Sequence, residues 1–283
     1  MLSQGADQSK TGSLIGQMCD SGCVNETEDR VWKCAWNGSI EHCDKRTLEH
    51  ALGKQFGELL GSNPGAYEVE RSHESDDDPS SNFERSWDTT SPTDWVTRKY
   101  CETCNSGWMA DIDNAAKPVV KRLLEATNIV QLSVGEVEVL RIWAYKLALV
   151  FEHVCGHPVH GDSACGEFAD TKTVPSNVAV ALGAAIGSIG PSVFSVRANT
   201  IRSGPDEIPV VVFTLALRHL IIQVADQLGE DPSVRTEDLI SLNPPAVSPL
   251  IPGQPAVWPP ILKVDTPQRL MVIMKGEDSY PPS

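Results

Sequence analysis

The chain has 283 residues, 41% of them hydrophobic, and 38 acidic against 23 basic side chains give it a net charge of -15. That length can bury one sizeable core, or a small module joined to a larger body. The acid excess argues against a broad nucleic-acid surface, because phosphate binding is dominated by Lys and Arg contacts. No run of about eighteen apolar residues offers a membrane span, and residues 1–18 lack the basic start and apolar centre of a secretory signal. A soluble, cytoplasmic protein with reduced thiols is therefore expected.

Residues 1–30 are polar and turn-rich and read as a loose N-terminal arm. The alternation in residues 31–36 predicts a short strand, and Asn37-Gly38 is a strong turn signal after it. Residues 55–61 look like a helix fragment ended by glycine. Residues 62–94, centred on SHESDDDPSSN, are poor in apolar side chains and read as an exposed acidic insertion. Between 67 and 95 nine acids face only Arg71 and Arg85, whereas 97–122 has five bases to three acids.

From Asn105 the chain is predicted helical, with Trp108, Ile112, Ala116, Val119 and Leu123 on one face and a kink or new start at Pro118. Trp108 is expected to plug a core rather than to stack on a base. The clearest helix is Val134–Val154, with Leu140, Trp143, Leu147, Val150 and Val154 opposite Glu136, Glu138, Arg141 and Lys146. His153, Cys155, His157, His160 and Cys165 follow closely, and read either as a loop that happens to hold them or as a second metal site. Residues 181–190 are a small-residue packing segment or turn, and 208–217 with 219–224 form a buried strand and its neighbour. Seven prolines between Pro244 and Pro260 disfavour regular structure, and the tail 276–283 reads as disordered.

Eight cysteines carry the chemistry: Cys19, Cys23, Cys34, Cys43, Cys101, Cys104, Cys155 and Cys165. Six lie at or before Cys104, a distribution that suits a local metal site better than a disulfide framework. Cys101-Glu102-Thr103-Cys104 is a C-x-x-C step that opens into a helix, and two thiolates so spaced can share one tetrahedral zinc with two further ligands. A redox pair is the other reading, but no βαβ pattern surrounds it.

The run Cys101-x-x-Cys104-Asn105-x-Gly107-Trp108-Met109, with Glu49-His50 upstream, resembles the HNH-type endonuclease-like proteins of bacteria and phages. The similarity continues through Lys117-Pro118, the string 144–152, and, weakly, 217–220 and 258–260. The resemblance implies an α+β fold: a zinc-braced ββα-metal (treble-clef) finger over 31–125, with 62–94 as its insertion, fused to a helical and β-containing body over 126–275. It implies His50 as general base, and Glu49 and Asn105 as ligands of a catalytic Mg or Mn. Structural zinc would be held by Cys34, Cys101, Cys104 and Cys43, or by the Cys19/Cys23 pair in place of Cys43. Lys45, Arg46, Arg98, Lys99, Lys121 and Arg122 would contact the backbone of DNA, or less readily RNA. Glu41-His42 is a rival to Glu49-His50. A silent zinc module whose acidic surface engages a protein partner is the competing function.

Overall fold

The computed structural model describes residues 33–36, 45–60, 65–71, 83–89, 94–154, 158–185, 193–203, 206–228 and 247–259. The predicted arm, the Asn37-Gly38 turn, Cys19, Cys23, Cys43, the rival Glu41-His42, Cys155, His157 and the tail lie outside them. Strand β1 (Arg46–His50) leads through a 3-10 turn at Lys54–Phe56 into α1 (Gly57–Leu60), then into the hairpin β2 (Gly65–Arg71) and β3 (Phe83–Thr89). Strand β4 (Val96–Cys101) runs into α2 (Glu102–Cys104), a π turn at Asn105–Met109, and α3 (Ala110–Glu125). After β5 (Val130–Leu132) come α4 (Val134–Val154) and α5 (Asp162–Thr171). The remainder is β6 (Val178–Ala184), β7 (Val193–Ser203), β8 (Asp206–Leu217), β9 (Leu220–Gln227), β10 (Val247–Pro249) and β11 (Ala256–Trp258).

The fold is α+β. One five-stranded antiparallel sheet has the order β10-β6-β9-β8-β7, and β1-β4, β2-β3 and β5-β11 form separate antiparallel pairs. Chain contacts separate Met1–Trp32 from Lys33–Ser283, so the cysteine-bearing strands and the large sheet belong to one unit.

Helix α4 sits at its centre. Ser133 and Glu136 form a capping box at its start: the Ser133 N–H donates to Glu136 Oε2 at 2.9 Å, and the Glu136 N–H donates back to Ser133 Oγ at 3.3 Å. On one side Trp143 stacks on Phe56 at 5.1 Å, and on the other Phe151 stacks on Phe213 of β8 at 5.2 Å. The helix is buried on more than the predicted stripe, because Arg141, Lys146 and Glu152 are buried as well. Two layers that both need an apolar neighbour enclose it.

Several sequence expectations change. The insertion 62–94 contains the β2-β3 hairpin, paired from Gly65↔Thr89 to Arg71↔Phe83, because alternation survives in its flanks even though its centre is acidic. Of the strand expected over 31–36, residues 33–36 lie outside any strand, with a turn at Ala35 and Trp36, and residues 31 and 32 lie outside the described residues. Helix α3 continues through Pro118, held by the burial of Ala116, Val119, Val120, Leu123 and Leu124 against the loss of one hydrogen bond. Its buried phase also differs from the predicted one: Met109 and Asp113 are buried, while Trp108 and Ile112 are half-buried. Residues 181–184 belong to strand β6, whose seven residues are all buried. The proline-rich stretch yields two short strands at sheet edges, where Pro249 ends β10 without costing the ladder a central bond.

A buried charged triad ties the end of α4 to the sheet. His160 lies with Nδ1 2.7 Å from Glu152 Oε1 and Nε2 2.8 Å from Asp226 Oδ2. Asn177 donates to Asp226 Oδ1 at 3.0 Å, and Tyr145 is a further hydrogen-bonding neighbour of Asp226. Burial disfavours the charged imidazole, but the hydrogen bonds of Asp226 and Glu152 outweigh it and raise the His160 pKa from 6.5 to about 10. A raised folded-state pKa adds stability that is complete below the unfolded value and is lost as pH rises through the folded one. The melting-temperature gap between wild type and His160→Gln should therefore be widest near pH 6 and shrink steadily toward pH 10. A gap that does not change with pH would contradict this assignment.

Candidate metal centre and the adjoining strand pair

Strand β4 delivers Cys101 to the mouth of a helix, and there its sulfur serves as the N-cap: the Cys104 N–H donates to Cys101 Sγ at 3.4 Å. The Cys101 N–H donates in turn to Cys34 Sγ at 3.4 Å. These backbone donors draw three sulfurs together. Cys34, Cys101 and Cys104 are buried, with sulfurs all within 4.8 Å of one another, and Cys34 and Cys104 lie 3.9 Å apart. Two thiolates on a tetrahedral zinc at about 2.3 Å from each would be separated by about 3.8 Å. The cluster therefore fits a soft metal ion such as zinc, which would need one more ligand.

Electrostatics point the same way. The hydrogen bond from Cys104, helped by the N–H of Cys101 and opposed by burial, lowers the Cys34 pKa to about 5. Paired with that sulfur, Cys104 is pushed well above the usual thiol range. A bound metal would favour the thiolate forms and displace their protons.

The turn that bears Cys34 is also anchored without metal. Trp36, fully buried, donates from Nε1 to Met109 Sδ at 3.0 Å, stacks on Tyr100 at 5.1 Å, and meets the Trp108 ring edge at 5.0 Å. The Ala35 N–H donates to Lys99 O at 2.9 Å. Trp108 is half-buried, with Lys172 Nζ 4.5 Å from its ring centroid, so it belongs to this packed aromatic group.

Strand β1 pairs with β4 from Arg46↔Cys101 to His50↔Val96, with one extra residue on β4, so that Arg98 and Lys99 lie across from Leu48. Asn105, on the helical turn after Cys104, reaches back to β1: its Nδ2 donates to Leu48 O at 3.3 Å and to Thr47 Oγ1 at 3.4 Å. His50 is half-buried at the far end of the strand. Glu49 points inward. Its Oε1 is 3.7 Å from Lys146 Nζ, and the same ammonium lies 2.9 Å from both oxygens of Asp113, which also accepts from Trp143 Nε1 at 3.1 Å. Burial raises the Glu49 pKa to about 7; Lys146 opposes that rise and Asp113 adds to it.

Asp113 is not singled out in the sequence, and Lys146 reads there as part of the polar face of α4, yet each leaves a signal. Asp113 is the acid in an otherwise buried phase, Met109, Asp113, Ala116; Lys146 is the base within the apolar string 144–151. A charge in a buried phase calls for a partner of opposite sign.

Among the described residues, at least three of the six bases predicted to meet phosphate have acidic partners. Lys45 lies 2.9 Å from Glu102, Lys121 3.9 Å from Glu125, and Arg122 2.7 Å from Glu136 at the α4 cap. Arg46, Arg98 and Lys99 are exposed. Among the described residues, the second group near 153–165 does not gather around an ion: His153 contacts Leu149 O, and His160 belongs to the charged triad. Comparison with known protein families, curated proteins and solved structures finds no match.

About one equivalent of zinc should copurify with the protein. Cys34→Ser, Cys101→Ser and Cys104→Ser should each lower that content and the melting temperature, with the rest of the fold retained through Trp36. Unchanged zinc together with unchanged melting in all three variants would remove the site.

Proposed function

We propose that residues 31–125 form a zinc-braced ββα-metal, treble-clef finger of HNH type that hydrolyses phosphodiester bonds of nucleic acid. The observation that carries this reading is one arrangement: β4 and the helix that follows it bear a three-thiol cluster, β1 pairs with β4, and Asn105 hydrogen-bonds to β1, the strand that carries Glu49 and His50. His50 is the general base, since an imidazole nitrogen can take a proton from the attacking water.

The donor chemistry suits a hard ion. Lys146 engages Glu49 through Oε1, and Asn105 turns its Nδ2 toward β1, which leaves Glu49 Oε2 and Asn105 Oδ1 without a described partner. Two oxygen ligands, completed by water and substrate, match the habit of Mg or Mn. When bound, the ion supplies positive charge at the scissile phosphate. Lys146, held by Asp113, keeps Glu49 in place, and the exposed Arg46, Arg98 and Lys99 provide phosphate contacts without reading sequence.

A zinc module without hydrolytic activity, engaging a protein partner, is the second reading. The observation in its favour is that Lys45, Lys121 and Arg122 are already paired with acids in a chain of net charge -15.

Plasmid nicking with Mg or Mn separates the two. His50→Ala should lower the cleavage rate by a factor on the order of 100 to 10,000, the usual cost of losing a general base, while zinc content stays at the wild-type level. His42→Ala should keep most activity. If wild-type protein cleaves neither single- nor double-stranded DNA or RNA with either ion, the hydrolase reading fails and the partner-binding module replaces it.

A further inference from the structure

The outward face of the β1-β4 pair carries more than bases. Side chains alternate along a strand, so Arg46, Leu48 and His50 share one face of β1, while Glu49 is buried on the other. Val96 lies across from His50, and the extra residue on β4 leaves both Arg98 and Lys99 exposed across from Leu48. Leu48 is 42% exposed and Val96 37%. No acid of either strand joins them, because Glu49 points inward and β4 has no Asp or Glu. In a chain with 38 acids and a net charge of -15, this face gathers three cations around two apolar side chains and the proposed base.

The charge suits a polyanion, and the apolar pair narrows its kind. In a duplex the base faces are stacked against one another, and the outer surface offers phosphates, sugars and base edges. A duplex also brings one charge per about 1.7 Å of length, against about 3.4 Å for each strand. Three cations in an acidic chain offset the sparser charge better than the denser one. A single strand, moreover, turns unstacked base faces outward, and those faces are the surface that exposed Leu48 and Val96 can cover.

We infer that Arg46, Leu48, Val96, Arg98 and Lys99 form a docking face for single-stranded nucleic acid in preference to duplex. Phosphates meet the three cations, and base faces rest on Leu48 and Val96. The inference rests on the hydrolase reading, because it lays the strand beside His50. A supercoiled plasmid remains a substrate, since torsional strain opens unpaired segments in it.

Fluorescence anisotropy on the full-length protein without added Mg or Mn tests this, using labelled DNA and RNA strands, each alone and annealed to its complement. The single strand should bind at least tenfold more tightly than its duplex. Three phosphate contacts should give a slope of log K on log salt of about -2 for the single strand. Poly-L-glutamate should compete at least tenfold less well than unlabelled single strand at equal charge. Leu48→Ser with Val96→Ser should weaken single-strand binding fivefold or more and leave melting unchanged, because both side chains are exposed. Arg98→Glu with Lys99→Glu should weaken both nucleic-acid forms.

Equal or tighter duplex binding overturns the inference, as does a double-serine variant that binds like wild type. Equal competition by poly-L-glutamate also overturns it and points to an acidic protein partner. In each of these cases, cleavage with Mg or Mn leaves the hydrolase reading standing. If no strand is bound, the inference falls, and if none is cleaved either, the hydrolase reading falls with it.

Discussion

Three sulfurs drawn within 4.8 Å of one another in a buried setting impose a constraint on everything around them. They cannot all ionise without a cation between them, because like charges so close in a low-dielectric setting repel strongly. Nor are they arranged like inert core cysteines, since backbone N–H groups of Cys101 and Cys104 are aimed at sulfur. A soft metal would resolve both facts. It would also fix residues 33–36, distant in sequence, to the junction of β4 and the following helix. The position of Asn105 beside β1 depends on that junction, because Asn105 directly follows Cys104.

The second constraint is the buried ammonium of Lys146. It joins Asp113 of α3, Glu49 of β1 and the central helix α4, so the strand pair is fastened to the main body by charge as well as by the Phe56–Trp143 stack. Breaking such a pair by removing one partner is costly, because the charge left behind is buried and unpaired. The β1-β4 pair is thus not a bead on a tether. Strand β1, helix α3 and helix α4 settle together, and the far end of α4 is fixed to the sheet in the same manner through Glu152, His160 and Asp226.

Much of this was legible in the sequence, and what was not has physical causes. The C-x-x-C step, its helix, and helix α4 could be read because spacing and periodicity are local properties. Cys34 could be placed with Cys101 and Cys104 through the resemblance. The partners of charged residues were harder. Lys146 was assigned to the polar face of α4 on periodicity, yet the helix is enclosed on nearly all sides and Lys146 is fully buried. Arg122 was read as a phosphate contact, but it lies on Glu136, whose capping box Ser133-Val134-Gly135-Glu136 is itself a sequence signal. The triad of Glu152, His160 and Asp226 spans 74 positions from first to last, and no local pattern reveals such a pairing. The acidic centre of 62–94 likewise masked the alternating flanks that form β2 and β3.

Zinc-edge X-ray absorption on the purified, reduced protein tests the central claim most directly, because it counts the atoms bound to the metal without depending on activity. The expected result is a four-coordinate zinc with at least three sulfur neighbours at about 2.3 Å. A zinc shell containing fewer than three sulfurs, or protein that is folded and free of bound metal, would contradict it.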